Sequence, residues 1–249
     1  MLTTRRAVIS FAASALSLAA LALPGDAAAQ QKTAKPLTIV VYGGSGNIGS
    51  RIVNEAAARG HHVTVVDRSP KTELAPQGVR TITGDVFDQQ DVLKNIAGAD
   101  ALVSSIVVRP APNPDFALSV VKAEVAALRA QTGAKKTRLL IVGGGSSLYN
   151  AEGKRLIDTR PARQDGEVRS SVDSLDYLLA DVKDVPWTFF SPGGTISPGK
   201  RTGKFRLGTD QLLVDANGKS AISMEDYAVA MVDEIENAKF INRRFTASY

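Results

Sequence analysis

The sequence contains no cysteine and only two histidines, and these scarcities exclude several kinds of site. A chain without cysteine forms no disulfide, no zinc–thiolate centre and no thiol nucleophile. The histidines, His61 and His62, are adjacent, and no carboxylate stands at a metal-ligand spacing from them. We therefore predict exposed turn residues at both positions, no metal site, and no histidine base for a Ser–His–Asp triad.

The chain also has little excess of basic over acidic residues and few aromatic residues. The net charge is +5, the basic residues lie scattered along the chain, and aromatic residues make up 6% of it. A nucleic-acid partner usually needs a basic stripe interleaved with aromatic side chains, so none is expected. Hydrophobic residues make up 44% of the 249 residues, which is enough for the core of one domain.

Long apolar runs are confined to the N-terminus, where residues 1–29 have the features of an export signal. Arg5 and Arg6 are followed by the apolar stretch Ala7–Leu23 and by small residues up to Ala29. The arginine pair is typical of the twin-arginine pathway, so we predict that pathway's machinery as a transport partner, cleavage near Ala29 and a periplasmic mature protein. An uncleaved anchor is the alternative, but the stretch is shorter than the ~20 residues of a membrane span. No later segment is long enough, which predicts a mature form without a membrane span.

After a polar linker at 30–36, apolar strand patterns and amphipathic helix patterns alternate through a single domain at 37–249. This alternation predicts an α/β fold, a Rossmann-type doubly wound parallel sheet with a small C-terminal α+β lobe. The predicted strands are 37–42, 63–66, 79–83, 101–106, 139–142, 187–190, 204–207, 211–214 and 244–248. The predicted helices are 47–59, 88–96, 115–131, 168–182 and 224–236.

A glycine turn, Gly43-Gly44-Ser45-Gly46-Asn47-Ile48-Gly49, separates the first strand from the first helix. In a dinucleotide-binding turn, the first glycine allows the tight bend, the second admits the pyrophosphate, and the third lets the helix pack closely. The strand before it and the helix after it are the context that this motif requires. We therefore predict that the cofactor contacts Gly43, Ser45, Gly46, Asn47, Ile48 and Gly49.

The residues after the second and third strands predict how the adenosine half is held. Asp67 lies where an acidic side chain binds the 2′-hydroxyl of NAD, and Arg68 lies where a guanidinium binds the 2′-phosphate of NADP. We favour NADP, with NAD as the alternative, and Arg51 as a second positive charge near the phosphate. Asp85, followed by Val86, is placed to meet the adenine.

The catalytic signature of carbonyl-reducing short-chain dehydrogenases, Tyr-x-x-x-Lys, is absent. Tyr149 is followed four residues later by Gly153, and Tyr177 by Asp181. Without a tyrosine acid assisted by lysine, protonating an alkoxide is difficult, whereas a reduced flavin or quinone can take its proton from water. We therefore predict an NAD(P)H-dependent oxidoreductase that passes hydride to a flavin, a quinone or a similar planar acceptor.

Several motifs resemble the NmrA-like, NAD(P)H-binding branch of the atypical short-chain dehydrogenases. They are the glycine turn, Arg68-Ser69-Pro70, Gly84–Asp88, Val142–Leu148, Trp187–Pro192, Pro198–Gly203 and Leu213–Ala216. The C-terminal ones are similar to a bacterial subgroup of candidate NADH-flavin reductases, which share a fold with biliverdin-IXβ reductase/flavin reductase. The resemblance implies cofactor-binding roles for the matching glycines, Arg68 and Asp85.

The same resemblance implies that Ser146, Ser147, Ser191 and Pro192 border the nicotinamide. We predict that Ser104, Ser146 and Ser191 line the nicotinamide at the carboxyl ends of their strands, with Ser146 and Ser147 as candidate catalytic residues. Two alternatives stay open: a non-catalytic NAD(P)-binding redox sensor of the NmrA type, and an enzyme like the sugar-nucleotide epimerases or steroid dehydrogenases. The missing Tyr/Lys pair disfavours the second of these.

Overall fold

The computed structural model describes residues 35–107, 111–159 and 166–249. Ten strands lie within these ranges: β1 Thr38–Tyr42, β2 His62–Asp67, β3 Arg80–Thr83, β4 Ala101–Ser104, β5 Arg138–Val142, β6 Trp187–Pro192, β7 Thr195–Ser197, β8 Arg206–Gly208, β9 Ala221–Ser223 and β10 Arg243–Ser248. The α-helices of the same ranges are α1 Asn47–Ala58, α2 Gln89–Asn95, α3 Phe116–Ala130, α4 Gly166–Asp181 and α5 Met224–Asn237. The predicted export signal and most of the predicted linker lie outside the described residues.

Eight strands form one sheet in the order β3-β2-β1-β4-β5-β6-β10-β8. Every neighbouring pair is parallel except β10 and β8, which run antiparallel. Val41 of β1 pairs with Val65 of β2 on one side and Val103 of β4 on the other. The strand order reverses between β1 and β4, and ligands of such sheets bind at the carboxyl ends of the strands near this reversal.

Helices cover both faces of the sheet. Ile39 and Val41 pack with α1 and α5, whereas Val40 and Tyr42 pack with α2, α3 and α4. Successive residues of a strand point to opposite faces, so a continuous apolar run is what a strand buried on both faces requires. The predicted Rossmann-type α/β sheet is therefore confirmed, because its central strands coincide with the apolar runs in the sequence. None of the described helices is long and apolar enough to cross a membrane.

The short strands after β6 differ from the predictions. The segment 211–214 is not a strand, and its β-pairing is limited to an isolated bridge between Gln211 and Tyr149. The strand predicted at 204–207 begins only at Arg206. β7 and β9, three residues each, were not predicted and pair with each other in a separate two-stranded sheet. Strands this short are fixed by what lies beside them rather than by a pattern of apolar residues.

The prediction of an exposed turn is wrong at His61. Its side chain is buried, Nδ1 accepts a hydrogen bond from the Leu37 backbone N–H (3.2 Å), and Nε2 lies 2.9 Å from Glu236 Oε1. Two polar partners compensate for the loss of water, which makes burial of the imidazole tolerable. His62 is exposed, but it is the first residue of β2.

Candidate functional site

The glycine turn joins the carboxyl end of β1 to α1, and its shape depends on two glycines. Gly43 has a φ of +77°, and a Cβ atom there would collide with the Ser105 carbonyl. A Cβ at Gly49, in the first turn of α1, would collide with the Gly43 carbonyl. Positive φ is strained for other residues, and a side chain at Gly49 would push the helix off the turn. The turn and the helix therefore pack backbone to backbone, as the motif predicts.

Gly46 marks the side of the turn that is open. A Cβ there would meet only the Gly43 carbonyl oxygen, at 3.1 Å. Gly46 is also the N-cap of α1, and no side chain caps the helix or places a negative charge in its first turn. The first N–H groups of a helix and its dipole favour an anion at this place. The turn has the shape and polarity that a pyrophosphate requires.

Asp67 at the end of β2 is connected to this turn. Its Oδ2 accepts a hydrogen bond from the Ser45 backbone N–H at 2.9 Å. Arg68 follows it, is exposed, and lines the adjoining cavity. One carboxylate oxygen of Asp67 thus accepts a hydrogen bond from the turn, while Arg68 is an exposed residue of the cavity lining.

Arg51 does not join them, which corrects the prediction of a second positive charge near the ribose. Its Nε lies 2.6 Å from Glu225 Oε1, and its Nη1 donates to the Asn47 carbonyl, also at 2.6 Å. α1 packs against α5, and Arg51 is on the face of α1 that meets Glu225 at the start of α5.

A cavity of about 210 Å³ adjoins the turn at the carboxyl ends of β1–β4. Six residues predicted to bind the cofactor line it: Gly43, Gly46, Asp67, Arg68, Asp85 and Val86. Asp85 Oδ1 accepts a hydrogen bond from the Phe87 backbone N–H at 3.0 Å, which closes a local turn in the loop after β3. The structure therefore brings together the residues predicted for the adenosine half, although their contacts with a cofactor stay a prediction.

Sequence reasoning missed the apolar residues of this cavity. Phe87 is 51% exposed and Val107 is 53% exposed, and both line the cavity. The Phe87 ring meets the Phe116 ring edge-on, with centroids 6.0 Å apart and planes at 63°. Large apolar side chains left open at a cavity mark a surface for an apolar or aromatic ligand. The signal in the sequence that could have revealed this surface is the aromatic residue directly after Gly84-Asp85-Val86.

Ser105, rather than Ser104, lines the cavity. Ser104 is the last residue of β4, is buried, and lies next to the Glu124 carboxyl of α3. The Ser104 side chain therefore does not line this cavity, and its place beside the nicotinamide stays a prediction. β4 ends at Ser104, two residues earlier than predicted, and the next serine, Ser105, lies at the cavity wall.

The serines after β5 and in β6 come together, as the resemblance implies. Ser147 Oγ lies 2.9 Å from Ser191 Oγ and donates to the Gly144 carbonyl at the same distance. Both side chains are fully buried, and Ser146 beside them is 8% exposed. Gly145 packs so tightly on the Pro192 carbonyl that a Cβ would lie 2.9 Å from its oxygen. Ser147 and Ser191 therefore hold the loop after β5 against β6, and the catalytic role of Ser147 stays a prediction. Ser146 stays a prediction.

The Tyr149 phenol is paired with an arginine, Arg155, which lies six residues later in the chain. Arg155 Nε donates to the phenol oxygen at 3.2 Å, and the guanidinium groups of Arg155 and Arg244 lie 5.7 and 5.5 Å from the ring centre. Arg155 in turn binds both carboxylate oxygens of Asp176 in α4, at 2.7 and 2.6 Å. The hydrogen bond to Asp176 raises the pKa of Arg155, so this guanidinium stays charged. The phenol is one member of a polar cluster that joins this loop to α4.

A family model described as NAD(P)H-binding matches residues 43–238, from the glycine turn to the end of α5. The chain belongs to the NAD(P)H-binding family. The match includes the turn, the cavity and the serine loop, and the fold is of the oxidoreductase type. The residues present fit such a cofactor, because the open side of Gly46 and the uncapped start of α1 provide a cradle that a larger side chain would fill.

Three solved structures resemble this NAD(P)H-binding chain over 85–86% of its length. A candidate exported protein from Burkholderia pseudomallei is 40% identical, with all of that chain covered and a TM-score of 0.76. A candidate epimerase from Bacteroides thetaiotaomicron is 37% identical, with 98% covered and a TM-score of 0.77. A candidate NADH-flavin reductase from Streptococcus pneumoniae is 30% identical, with 99% covered and a TM-score of 0.73. Relatives with different suggested reactions thus share the fold of this NAD(P)H-binding domain.

Proposed function

We propose that this protein is an NAD(P)H-dependent oxidoreductase that passes hydride to a flavin, a quinone or a similar planar acceptor. Bound NAD(P)H would supply the hydride. The observation that carries the proposal is the environment of Tyr149, whose phenol is hydrogen-bonded to Arg155 and, among the described residues, to no lysine. The candidate NADH-flavin reductase among the structural relatives supports the same reaction class.

The chemistry follows from what the site offers a reacting acceptor. Reducing an aldehyde or ketone leaves an alkoxide, which needs a positioned acid, whereas a reduced flavin or quinone exchanges its proton with water. The Tyr149 phenol accepts the Arg155 N–H, and its backbone pairs with Asp210 and Leu212 in the C-terminal part of the chain. We infer that this phenol holds Arg155 and Asp176 in place and does not protonate the acceptor.

The test compares acceptors and tyrosine variants. Loss of NADPH absorbance is followed with flavin mononucleotide, a benzoquinone and a small aldehyde, using wild type and Tyr149→Phe. Tyr177→Phe is the matched control, since that hydroxyl lies on α4 at the limit of hydrogen bonding with Arg129 (3.5 Å). We expect oxidation by the flavin or the quinone, little by the aldehyde, and similar rates in all three proteins. Aldehyde reduction that disappears only in Tyr149→Phe would overturn the proposed chemistry. Tight NADPH binding without oxidation by any acceptor would favour the non-catalytic sensor.

For the cofactor we propose NADP(H) rather than NAD(H). The Ser45 N–H occupies one oxygen of Asp67, while Arg68 is exposed at the cavity and carries the charge that suits a 2′-phosphate. Bidentate recognition by arginine is directional, so Arg68 would distinguish the two cofactors by its hydrogen bonds as well as by its charge.

We also propose export through the twin-arginine pathway, with the mature protein in the periplasm and no nucleic-acid partner. The support is the arginine pair in the N-terminal segment and a structural relative that is itself a candidate exported protein. This pathway carries folded proteins, which suits a protein that must bring a cytoplasmic nucleotide with it.

A further inference from the structure

Glu124 is a carboxylic acid enclosed in the apolar interior. It lies in the middle of α3, has no exposed surface, and is flanked on the same helix by buried Val121 and Val125. Within the described residues, neither of its carboxyl oxygens has a hydrogen-bond partner. An ionised carboxylate is very costly in such a place, so the group is held in its neutral form.

The protonation of Glu124 is set by burial. Burial raises the pKa of its carboxyl to about 8, and the neighbouring Ser104 hydroxyl offsets only part of that rise. The described residues place no charged side chain close enough to contribute. From α4, which packs on α3, the buried polar side chains are the hydroxyls of Ser170 and Ser174. Glu124 is therefore neutral at pH 7 and loses its proton in mildly alkaline solution.

Two residues that interact with Glu124 connect it to the cofactor cavity. Tyr42, the last residue of β1, lines the cavity, and Asn95 of α2 donates to its phenol oxygen at 3.1 Å. The pKa of Tyr42 is raised to about 12, chiefly by burial; the Asn95 hydrogen bond lowers it, and the carboxyl groups of Asp91, Glu124 and Asp85 add smaller contributions that raise it. The other is Ser104, which comes directly before Ser105 in the cavity wall. Glu124 thus lies behind the wall on which the cofactor would rest.

We propose that Glu124 couples cofactor binding to proton uptake. The pyrophosphate of a bound cofactor is negatively charged and would lie at the turn that begins directly after Tyr42. An ionised Glu124 would repel it through a low-dielectric interior, where water does not screen the charges. Linkage is reciprocal, so the cofactor stabilises neutral Glu124, and loss of the Glu124 proton weakens the cofactor. This inference rests on cofactor binding at the cavity, which is part of the proposed function.

Calorimetric titration of the full chain with NADH tests the coupling. NADH is the probe because it lacks the 2′-phosphate, which itself titrates near neutral pH. Titrations at pH 8 in buffers of different ionisation enthalpy count the protons taken up on binding. A tenfold coupling predicts uptake of about 0.4 proton per NADH at pH 8, and about fivefold weaker binding at pH 9 than at pH 7.

Two variants assign the proton to its residue. Glu124→Gln is neutral at every pH, so its affinity for NADH should not change between pH 7 and pH 9, and it should take up no proton. Glu152→Gln, at an exposed turn, should behave as wild type. Proton uptake that persists in Glu124→Gln, or wild type that binds NADH without uptake, would overturn the coupling and leave the proposed function standing. Wild type that binds neither NADH nor NADPH would overturn the proposed function and this inference with it. If Glu124→Gln does not fold, the wild-type proton count decides.

Discussion

Replacing Glu124 by glutamine is expected to flatten the dependence of stability on pH. Burial raises the pKa of this carboxyl from 4.5 to about 8. The folded state therefore holds the proton more tightly than the unfolded state, and its stabilising effect is complete below about pH 4.5 and lost progressively up to about pH 8. At about 1.4 kcal/mol for each pH unit, wild type should lose roughly 3 kcal/mol through this one group between pH 5 and pH 8. That is a large share of the 5–15 kcal/mol typical of a domain.

The assay is urea unfolding followed by the fluorescence of Trp187, the only tryptophan, which is 1% exposed in β6. The difference between wild type and Glu124→Gln at each pH isolates the group, with Glu152→Gln as the exposed control. Glu55 is an acid that acts with the opposite sign and at lower pH. Although burial alone would raise the pKa of Glu55, its hydrogen bonds to Arg201 and Arg59 lower it, so its contribution is lost only as the solution becomes acid. Parallel stability curves for wild type and Glu124→Gln from pH 5 to pH 8 would refute the reasoning.

Three further predictions concern the cofactor and export. Arg68→Ala should weaken NADPH binding roughly 30- to 150-fold, or about 2–3 kcal/mol, and leave NADH nearly unchanged. Calorimetry with Arg80→Ala, an exposed arginine at the start of β3, is the control, and equal losses for both cofactors would rule out NADP preference. Gly46→Val should abolish binding of either cofactor, because a branched side chain fills the open side of the turn. The circular dichroism spectrum should stay that of wild type. Tight cofactor binding by the folded variant would contradict this site. Replacing Arg5 and Arg6 by lysine should retain precursor in the cytoplasm, since the pathway reads the guanidinium pair; unchanged periplasmic yield on fractionation would point to the general secretory route.

The parts of the fold that could be predicted are those whose buried residues form an uninterrupted apolar run in the sequence. β1, β5 and β6 are buried on both faces, so each appears as a continuous apolar run next to a helix pattern. The glycine turn could also be predicted from the sequence. A side chain at Gly43 or Gly49 would collide with backbone atoms, so only glycine suits these two positions. Local sequence therefore determined the central sheet and the turn that the site is built on.

The remainder depends on contacts between residues far apart in the chain. Arg51 was expected to add a positive charge near the phosphate because of its position after the turn, but it forms an ion pair with Glu225, which is distant in sequence. His61 is buried because Glu236 in α5 and the backbone of Leu37 supply its partners. Glu124 is one polar residue among apolar neighbours, and a helix pattern does not reveal that its carboxyl lies behind the cavity. These features need the tertiary structure before their chemistry can be read.

The hydrogen bond between Asp67 and Ser45 has a consequence for redesign of the cofactor preference. Asp67 is the obvious position at which to change selectivity, but its carboxylate also holds the glycine turn through the Ser45 N–H (2.9 Å). A substitution there would change selectivity and loosen the pyrophosphate cradle at the same time, so affinity for both cofactors should fall together. Among the described contacts, the Arg68 side chain makes no hydrogen bond to the glycine turn, and it is exposed. Variation aimed at cofactor choice should therefore begin at Arg68 and keep Asp67 fixed.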